Sequence, residues 1–391
     1  MRMSEAGGFV AGAAPVSVEQ PGSLAELVAL VRGSRETLVP VGGGTVLDLG
    51  YAPAGPFRLV DVRNALGGAV EHQPDDLTAT VPAGMTVEAA NAVLRAQGQE
   101  LKLDPPLASR ATIGGTLAAA MAGPQRGRYG APRDQVLGLM FVRADGEVVR
   151  AGGRVVKNVA GYDLSRLLCG SFGSLGIIAA ATLRTWPVRE TVDVEWQVGD
   201  IATGLDLAAR LTAAGAWPEV LDIVDDGRGI WLAARLSPAA LPAAERVLGG
   251  REARPWPPGR FEQLRDGGFR EEDVLSVRVT APWSLLGRAA AALQRARPGL
   301  LVVRPLGGMV RAAARRQEGV ASRELRGIVE EVRRLVRPAG GFAVVERMPD
   351  RYRADVDPWG EPPDGFDLLR AAKAAFDPEG RFSRGRFIGG I

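Results

Sequence analysis

The chain holds one cysteine, Cys169, and one histidine, His72, in 391 residues. A single cysteine closes no disulfide within the chain and holds no iron–sulfur cluster, which takes several thiolates. Cys169 stands beside Leu167 and Leu168, a setting that suits a small buried hydrophobe better than a reactive thiol. A single histidine leaves almost no room for a histidine-ligated metal or a catalytic triad with a histidine base, so no metal site is expected. That histidine sits in Glu71-His72-Gln73-Pro74, which reads as a solvated polar turn. No apolar run approaches the roughly 20 residues of a membrane span, so direct membrane insertion is not expected. The first fifteen residues, MRMSEAGGFVAGAAP, lack the pattern of a signal peptide, and a soluble cytoplasmic protein is the expectation. Charge of one sign is also lacking. The net charge is +3, the arginines are spread along the whole chain, and no basic stripe interleaved with aromatics occurs, which argues against a nucleic-acid partner.

What is abundant is glycine, 51 residues, with 27 prolines, so turns are many, yet no low-complexity tract occurs. The length suits two or three domains. Ser23-Leu24-Ala25-Glu26 reads as a capping box opening a helix to about Arg32. The strand Thr37 to Val41 runs directly into Gly42-Gly43-Gly44-Thr45. A strand ending in three glycines and a hydroxyl can cradle a pyrophosphate with main-chain donors. It is not a P-loop, because no Gly-Lys-Ser/Thr follows, and not a Rossmann turn, because G-x-G-x-x-G and its helix are missing. Strands are also expected at Val16 to Val18, Phe57 to Val62 and Leu77 to Val81. The last of these ends in Pro82-Ala83-Gly84-Met85, after which Thr86 caps a helix that Gly98 terminates. The stiff segment Leu103 to Pro106 precedes Ala111-Thr112-Ile113-Gly114-Gly115-Thr116-Leu117, and a small-residue helix is expected from Ala118 to Ala122. That helix suits close approach of a flat ligand or of another backbone equally well. Leu137 to Arg143 and Glu147 to Arg150 form a hairpin across Asp145-Gly146.

The stretch from Arg154 to Ile178 organises the first half. It places Lys157, Asn158, Tyr162 and Asp163 around Gly161, then packs Gly170, Gly173 and Gly176 ahead of the apolar strand Ile177 to Thr185. Glycines spaced in this way let backbone N–H groups approach a bulky anion, since no Cβ intervenes. Beyond Glu190 the glycine clusters largely cease. Strands at Val192 to Val198, Ile230 to Leu236, Val274 to Val279 and Leu300 to Val303 alternate with helices at Asp206 to Ala214, Leu241 to Leu248, Leu285 to Ala296 and Arg323 to Val336. This texture reads as a second, α+β domain. A strand at Gly340 to Glu346 and a helix at Phe366 to Phe376 complete the chain.

Four glycine-bearing turns, PVGGGT, TVPAGMTVEAAN, ATIGGTLAAAMAG and KNVAGYDLSRLLCGSFGSLGII, resemble in that order the FAD-binding domain of the vanillyl-alcohol oxidase (PCMH) type. The terminal FDPEGRFSRGR is similar to that family's closing motif. KNVAGYD, DQVLG and AGPQRGRYG narrow the likeness to the E-subunit family of the glycolate oxidases. The resemblance implies an α+β fold: a PCMH-type FAD-binding domain of two α+β subdomains over residues 1–189, an α+β cap domain with a ferredoxin-like sheet over 190–335, and a C-terminal segment, 336–391, returning to the flavin.

Carried over position by position, the resemblance assigns Gly42, Gly43, Gly44 and Thr45 to the pyrophosphate, and Pro82, Ala83 and Gly84 to the adenine side. Pro106, Thr112, Gly114, Gly115 and Thr116 would run along the ribityl chain and flavin, and Gly173, Gly176, Ile177 and Ile178 would contact adenine and pyrophosphate. Some relatives attach FAD through a histidine in or near the first turn; Thr45 cannot do this, so the flavin is expected to be non-covalent. Val41 replaces a frequent arginine, and Ser383-Arg384 replaces the closing Asn-Pro. Hydroxy-acid dehydrogenases of the superfamily place histidines near the substrate, whereas the cap and C-terminal regions here contain none and Phe342 stands where a relative could carry one. Catalytic residues therefore remain unassigned; Tyr352 and Glu346 are candidate bases for which surface roles are expected. The implied role is the FAD-binding subunit of a glycolate (2-hydroxy acid) oxidase, partnered by a catalytic flavoprotein subunit and an iron–sulfur subunit, and reaching the inner face of the membrane only through them. A stand-alone FAD-dependent oxidoreductase and a flavin-free scaffold subunit are the alternatives.

Overall fold

A computed structural model describes residues 8–153, 163–315 and 319–391. Lys157, Asn158, Gly161 and Tyr162 of the organising stretch lie outside the described residues. The chain forms two compact units, one from Met1–Ala122, Ala131–Val188 and Glu361–Ile391, the other from Gly123–Gly130 and Arg189–Gly360.

The first unit holds strands β1 (Ser17–Glu19), β2 (Thr37–Val41), β3 (Phe57–Asp61), β4 (Glu71–Gln73), β5 (Thr78–Pro82), β6 (Gln99–Glu100), β7 (Val136–Val142), β8 (Val148–Gly152), β9 (Ile177–Arg184) and β10 (Trp186–Pro187). A parallel sheet of order β1-β3-β2 lies beside an antiparallel sheet of order β4-β5-β9-β7-β8. β2 is buried along most of its length because both faces of its sheet are covered. Leu38 faces the larger core with Leu27 and Val31, while Val39 and Val41 pack on Val10, Phe57 and Leu59. The C-terminal tail extends this sheet: Leu38 N donates to Arg381 O at 2.8 Å and Ser383 N donates to Leu38 O at 2.9 Å, which buries Phe382 between them.

The expected capping at Ser23 and Thr86 is present, each side chain accepting from the N–H three residues on. Glu26 reaches back to Gly22 N at 2.9 Å instead of to Ser23 N, so the box is offset by one residue. The small-residue helix is displaced from its expected position. It runs Ile113–Ala118, because Thr112 caps it by accepting from Gly115 N at 3.2 Å. His72 is not in a solvated turn: it lies on β4, half-buried, with Nε2 at 2.9 Å from Gln99 Oε1.

The second unit is an eight-stranded antiparallel sheet of β11 (Val192–Val198), β12 (Val220–Asp225), β13 (Ile230–Leu236), β14 (Arg254–Pro255), β15 (Asp273–Thr280), β16 (Leu300–Arg304), β17 (Met309–Arg315) and β18 (Phe342–Arg347). The order is β14-β11-β13-β12-β16-β17-β15-β18. Alternate residues of these strands, among them Leu221, Val277, Val303 and Val345, pack on the helices Ile201–Ala213, Trp283–Gln294 and Ser322–Val336. The first of these helices begins five residues before the expected Asp206, since Asp200 caps it by accepting from Thr203 N at 2.6 Å.

The other residues of the same strands place Asp222, Arg278, Arg304, Arg311 and Glu346 on the opposite face, by strand alternation. Glu346 is not a surface group. It is 1% exposed, accepts from Arg278 Nε at 2.6 Å and Arg311 Nε at 3.1 Å, and accepts from Ser276 Oγ at 3.2 Å. Burial pushes its pKa up, but the Arg311 and Arg278 guanidiniums outweigh this and hold it below the ordinary carboxylate value. Tyr352 donates to Val320 O at 2.8 Å. Among the described residues no helix is long and apolar enough to cross a membrane.

Candidate cofactor site

The turn after β2 and the turn before the helix Ile113–Ala118 face each other so closely that only glycine fits. A Cβ on Gly43 would sit 1.8 Å from Arg110 O, and one on Gly42 would sit 2.1 Å from Thr112 Oγ1. The glycines here let one backbone approach another, and a cleft opens alongside. Gly173 adds a third wall at φ +70°, in the left-handed region that favours glycine. Next to it Phe172 holds φ +59°, fixed by Phe172 N donating to Ala118 O at 2.8 Å.

The cleft is a narrow trough with a cavity volume of about 90 Å³, open to solvent along one side. Twelve of the expected residues line it: Gly42, Gly43, Gly44, Thr45, Ala83, Thr112, Gly114, Gly115, Gly173, Gly176, Ile177 and Ile178. Four expected residues do not. Pro82 faces a separate groove with Thr80 and Ala180. Gly84 is used for packing, its Cβ position lying 2.5 Å from Arg63 O, and its N–H donates to Leu66 O at 2.9 Å. Pro106 and Thr116 are buried off the cleft wall.

Sequence reasoning missed Pro40, Val46, Leu47, Val62, Phe172 and Arg386, which line the cleft together with Ala118 and Ala119 of the segment expected to suit a flat ligand or another backbone. Val41, noted as a replacement for a frequent arginine, lines it too. Val41 and Phe172 adjoin an expected glycine, Pro40, Val46, Leu47, Ala118 and Ala119 lie within four residues of one, and Val62 stands apart at the end of β3. Arg386 adjoins none of the expected glycines, and only the closing motif could have pointed to it. Among the described residues the cleft's lining is otherwise uncharged.

FAD, which the resemblance implies, fits the donor set found here. Among the described residues the N–H groups of Gly43, Gly44 and Thr45 donate to no protein acceptor, and all three residues line the cleft. Val41, Val62, Ala83, Ile177 and Ile178 give apolar walls, and Arg386 supplies a cation. Neither His72 nor Cys169 lines the cleft. The Cys169 thiol stands outside the lining, pushed up to about 12 by burial, with Asp163 adding to the effect.

The comparisons with known proteins agree with this chemistry. The FAD binding domain family matches residues 13–152. The chain is 31% identical over 251 residues to glycolate oxidase subunit GlcE of Escherichia coli (strain K12), covering 62% of this chain and 68% of that one. It is 35% identical over 207 residues to glycolate oxidase subunit GlcD of Bacillus subtilis (strain 168), covering 52% of this chain and 43% of the relative. It is 38% identical over 173 residues to a D-2-hydroxyglutarate dehydrogenase of Xanthomonas citri pv. viticola, covering 44% and 36%. The chain thus spans about two thirds of the first relative and less than half of the other two. Among solved structures, an alkyldihydroxyacetonephosphate synthase shares the fold with a TM-score of 0.69 and 16% identity, over 94% of this chain and 76% of that one.

Proposed function

Because the chain belongs to the FAD-dependent oxidoreductases with a PCMH-type FAD-binding domain, we propose that it is the FAD-binding subunit of a glycolate (2-hydroxy acid) oxidase complex. The observation that carries this reading is the cleft itself, in which, among the described residues, nothing ionisable except Arg386 reaches the lining. FAD bound there supplies a two-electron acceptor. Gly42, Gly43, Gly44 and Thr45 hold its pyrophosphate through main-chain N–H groups, and Ala83, Ile177 and Ile178 exclude water from the apolar part. The flavin is held non-covalently.

Oxidation of a 2-hydroxy acid requires removal of the hydroxyl proton by a group poised near neutral pH. Histidine is the side chain with that range, and the chain's one histidine is engaged with Gln99. The candidate bases are committed too: Glu346 to Arg278 and Arg311, and Tyr352 to Val320 O. The proton-accepting site therefore lies on a partner, a flavoprotein subunit related to the hydroxy-acid dehydrogenases, and an iron–sulfur subunit takes the electrons onward. Of the C-terminal segment from 336, residues 336–360 belong to the second unit, and Glu361–Ile391, which belongs to the first, serves the FAD-binding domain by returning to the flavin.

Two measurements on the purified, flavin-loaded chain test this. Acid precipitation is expected to release the flavin into the supernatant. Anaerobic mixing with glycolate or D-lactate is expected to leave the flavin oxidised. Bleaching at roughly 1 per second or faster, a rate within the usual range of enzyme turnover, would instead establish a stand-alone oxidoreductase.

A further inference from the structure

We infer that Arg386 is the charge partner of the cofactor's pyrophosphate and sets the strength of FAD binding. The inference rests on the proposed FAD site and deepens it by assigning a residue on the C-terminal tail. Among the described residues Arg386 is the one charged residue lining the cleft, and it is 4% exposed. Its position is fixed from several sides. Nη2 donates to Leu47 O at 3.0 Å and to Leu49 O at 2.9 Å, just beyond the three-glycine turn. The guanidinium lies over the Phe172 ring, 4.8 Å from its centroid, immediately before Gly173. Its own main chain is tied by Tyr51 N donating to Arg386 O at 3.1 Å and Arg386 N donating to Ser383 O at 3.1 Å.

The cation is thus held where the turn ending β2 meets the turn preceding β9. The three-glycine turn offers N–H groups of Gly43, Gly44 and Thr45 to an anion, and amides alone leave that anion's charge uncompensated in an apolar cleft. A desolvated phosphate oxygen needs an opposite charge as well as hydrogen bonds. Arginine meets that need: its planar fork matches phosphate geometry, it is permanently protonated, and it stacks on an aromatic face at the same time. Its pre-organisation means that little ordering remains to be done when the ligand arrives.

The test is FAD titration of the apo-protein at several salt concentrations, for wild type, Arg386→Gln and Arg386→Lys, with a thermal melt of each apo-protein. Arg386→Gln keeps a donor for the Leu47 and Leu49 carbonyls and removes the charge. It is expected to weaken FAD binding roughly tenfold to a hundredfold, the range of a charge-assisted hydrogen bond, and to flatten the salt dependence. Arg386→Lys, which restores charge without the fork, is expected to recover the salt dependence and part of the affinity. Binding by Arg386→Gln within about threefold of wild type, or weaker binding whose salt dependence matches wild type, overturns the inference and leaves Arg386 a brace for the Leu47 loop. If Arg386→Gln does not fold, the lysine variant decides through ligand preference: weaker binding of FAD with unaltered binding of riboflavin, which carries no pyrophosphate, supports the inference, and an equal change for both ligands, or none for either, overturns it. Failure of the wild-type chain to bind FAD at all would overturn the proposed function itself, a result distinct from any of these.

Discussion

Gly43 separates two reasons for a glycine that look alike in a sequence. Its position next to Gly42 and Gly44 suggests access for a ligand, but the nearest atom to a Cβ there is protein: Arg110 O, at 1.8 Å. Gly43→Ala forces the two turns apart at the backbone of both, and overpacking of this kind costs typically 1–3 kcal/mol. The variant is expected to lose that much in a denaturant melt and to lose FAD binding with it. Gly173→Val acts differently, through φ +70°, where a β-branched residue is strained, and through a Cβ only 3.1 Å from Pro40 Cγ. A folded Gly173→Val protein, by circular dichroism, that still takes up a full complement of flavin would remove the cleft assignment. The glycines of the site were legible because a turn and its strand are neighbours in sequence. Arg386 was legible only as the last residue of the closing motif FDPEGRFSRGR, and its place in the cleft was not, because the acceptor Leu47 lies 339 residues away.

Single elements were legible where one physical signal decided them. β2, β11, β13 and the helix Phe366–Phe376 coincide with their expected ranges, since apolar patterning and flanking turn residues agree there. β12 and β17 were missed. β12 carries the buried Asp222 in its middle, and β17 reads Met-Val-Arg-Ala-Ala-Ala-Arg, whose alanines suit a helix until Arg311 finds Glu346. Cross-strand pairing settles both, and pairing is not written in a local window.

The helix Phe366–Phe376 shows what such an element does once placed. Lys373 Nζ donates to Ser174 O at 2.9 Å, to Asp377 Oδ2 at 2.6 Å and to Phe382 O at 2.8 Å. Asp377 in turn accepts from Arg381 N at 2.9 Å and Phe382 N at 2.6 Å. One ammonium therefore ties the Gly173 turn to the tail that carries Arg386. Burial lowers the Lys373 pKa, and Asp377 opposes this. Lys373→Met leaves Asp377 and two carbonyls short of a donor, at a cost of about 1–3 kcal/mol. The expected result is a lower melting temperature together with weaker FAD binding; a variant with unchanged flavin affinity would show that the helix braces the tail without reaching the cleft.

At the scale of the whole chain, the contrast between the two units lies in where charge is buried. The first unit keeps its cleft almost free of ionisable groups, and the second buries several on one sheet face. Glu346 bonds to Arg278 and Arg311, and Asp222 accepts from Arg304 Nε at 3.1 Å. Taking such groups out of water is costly, and breaking a buried pair leaves a stranded charge worth about 3–5 kcal/mol of destabilisation. Glu346→Gln is expected to cost that amount. The sign with pH follows from the lowered pKa of Glu346. Its unfolded value is the ordinary 4.5, so its contribution is fully present above that pH and is lost as pH falls through the lower folded value. Asp273 works in the opposite sense, because burial raises its pKa and a proton relieves its cost. A chain of two units need not unfold in one step, and the ion cluster belongs wholly to the second unit while the flavin cleft belongs to the first. Thermal melts of Glu346→Gln at neutral pH should therefore shift the main circular-dichroism transition downwards while flavin release, followed by fluorescence, stays near its wild-type temperature. Below pH 4.5 the difference between variant and wild type should shrink, since protonation removes from the wild type what the substitution removes from the variant. Equal shifts of both signals at neutral pH would show that the units unfold as one, and a difference that persists undiminished in acid would show that the stability resides in packing and not in the Glu346 charge.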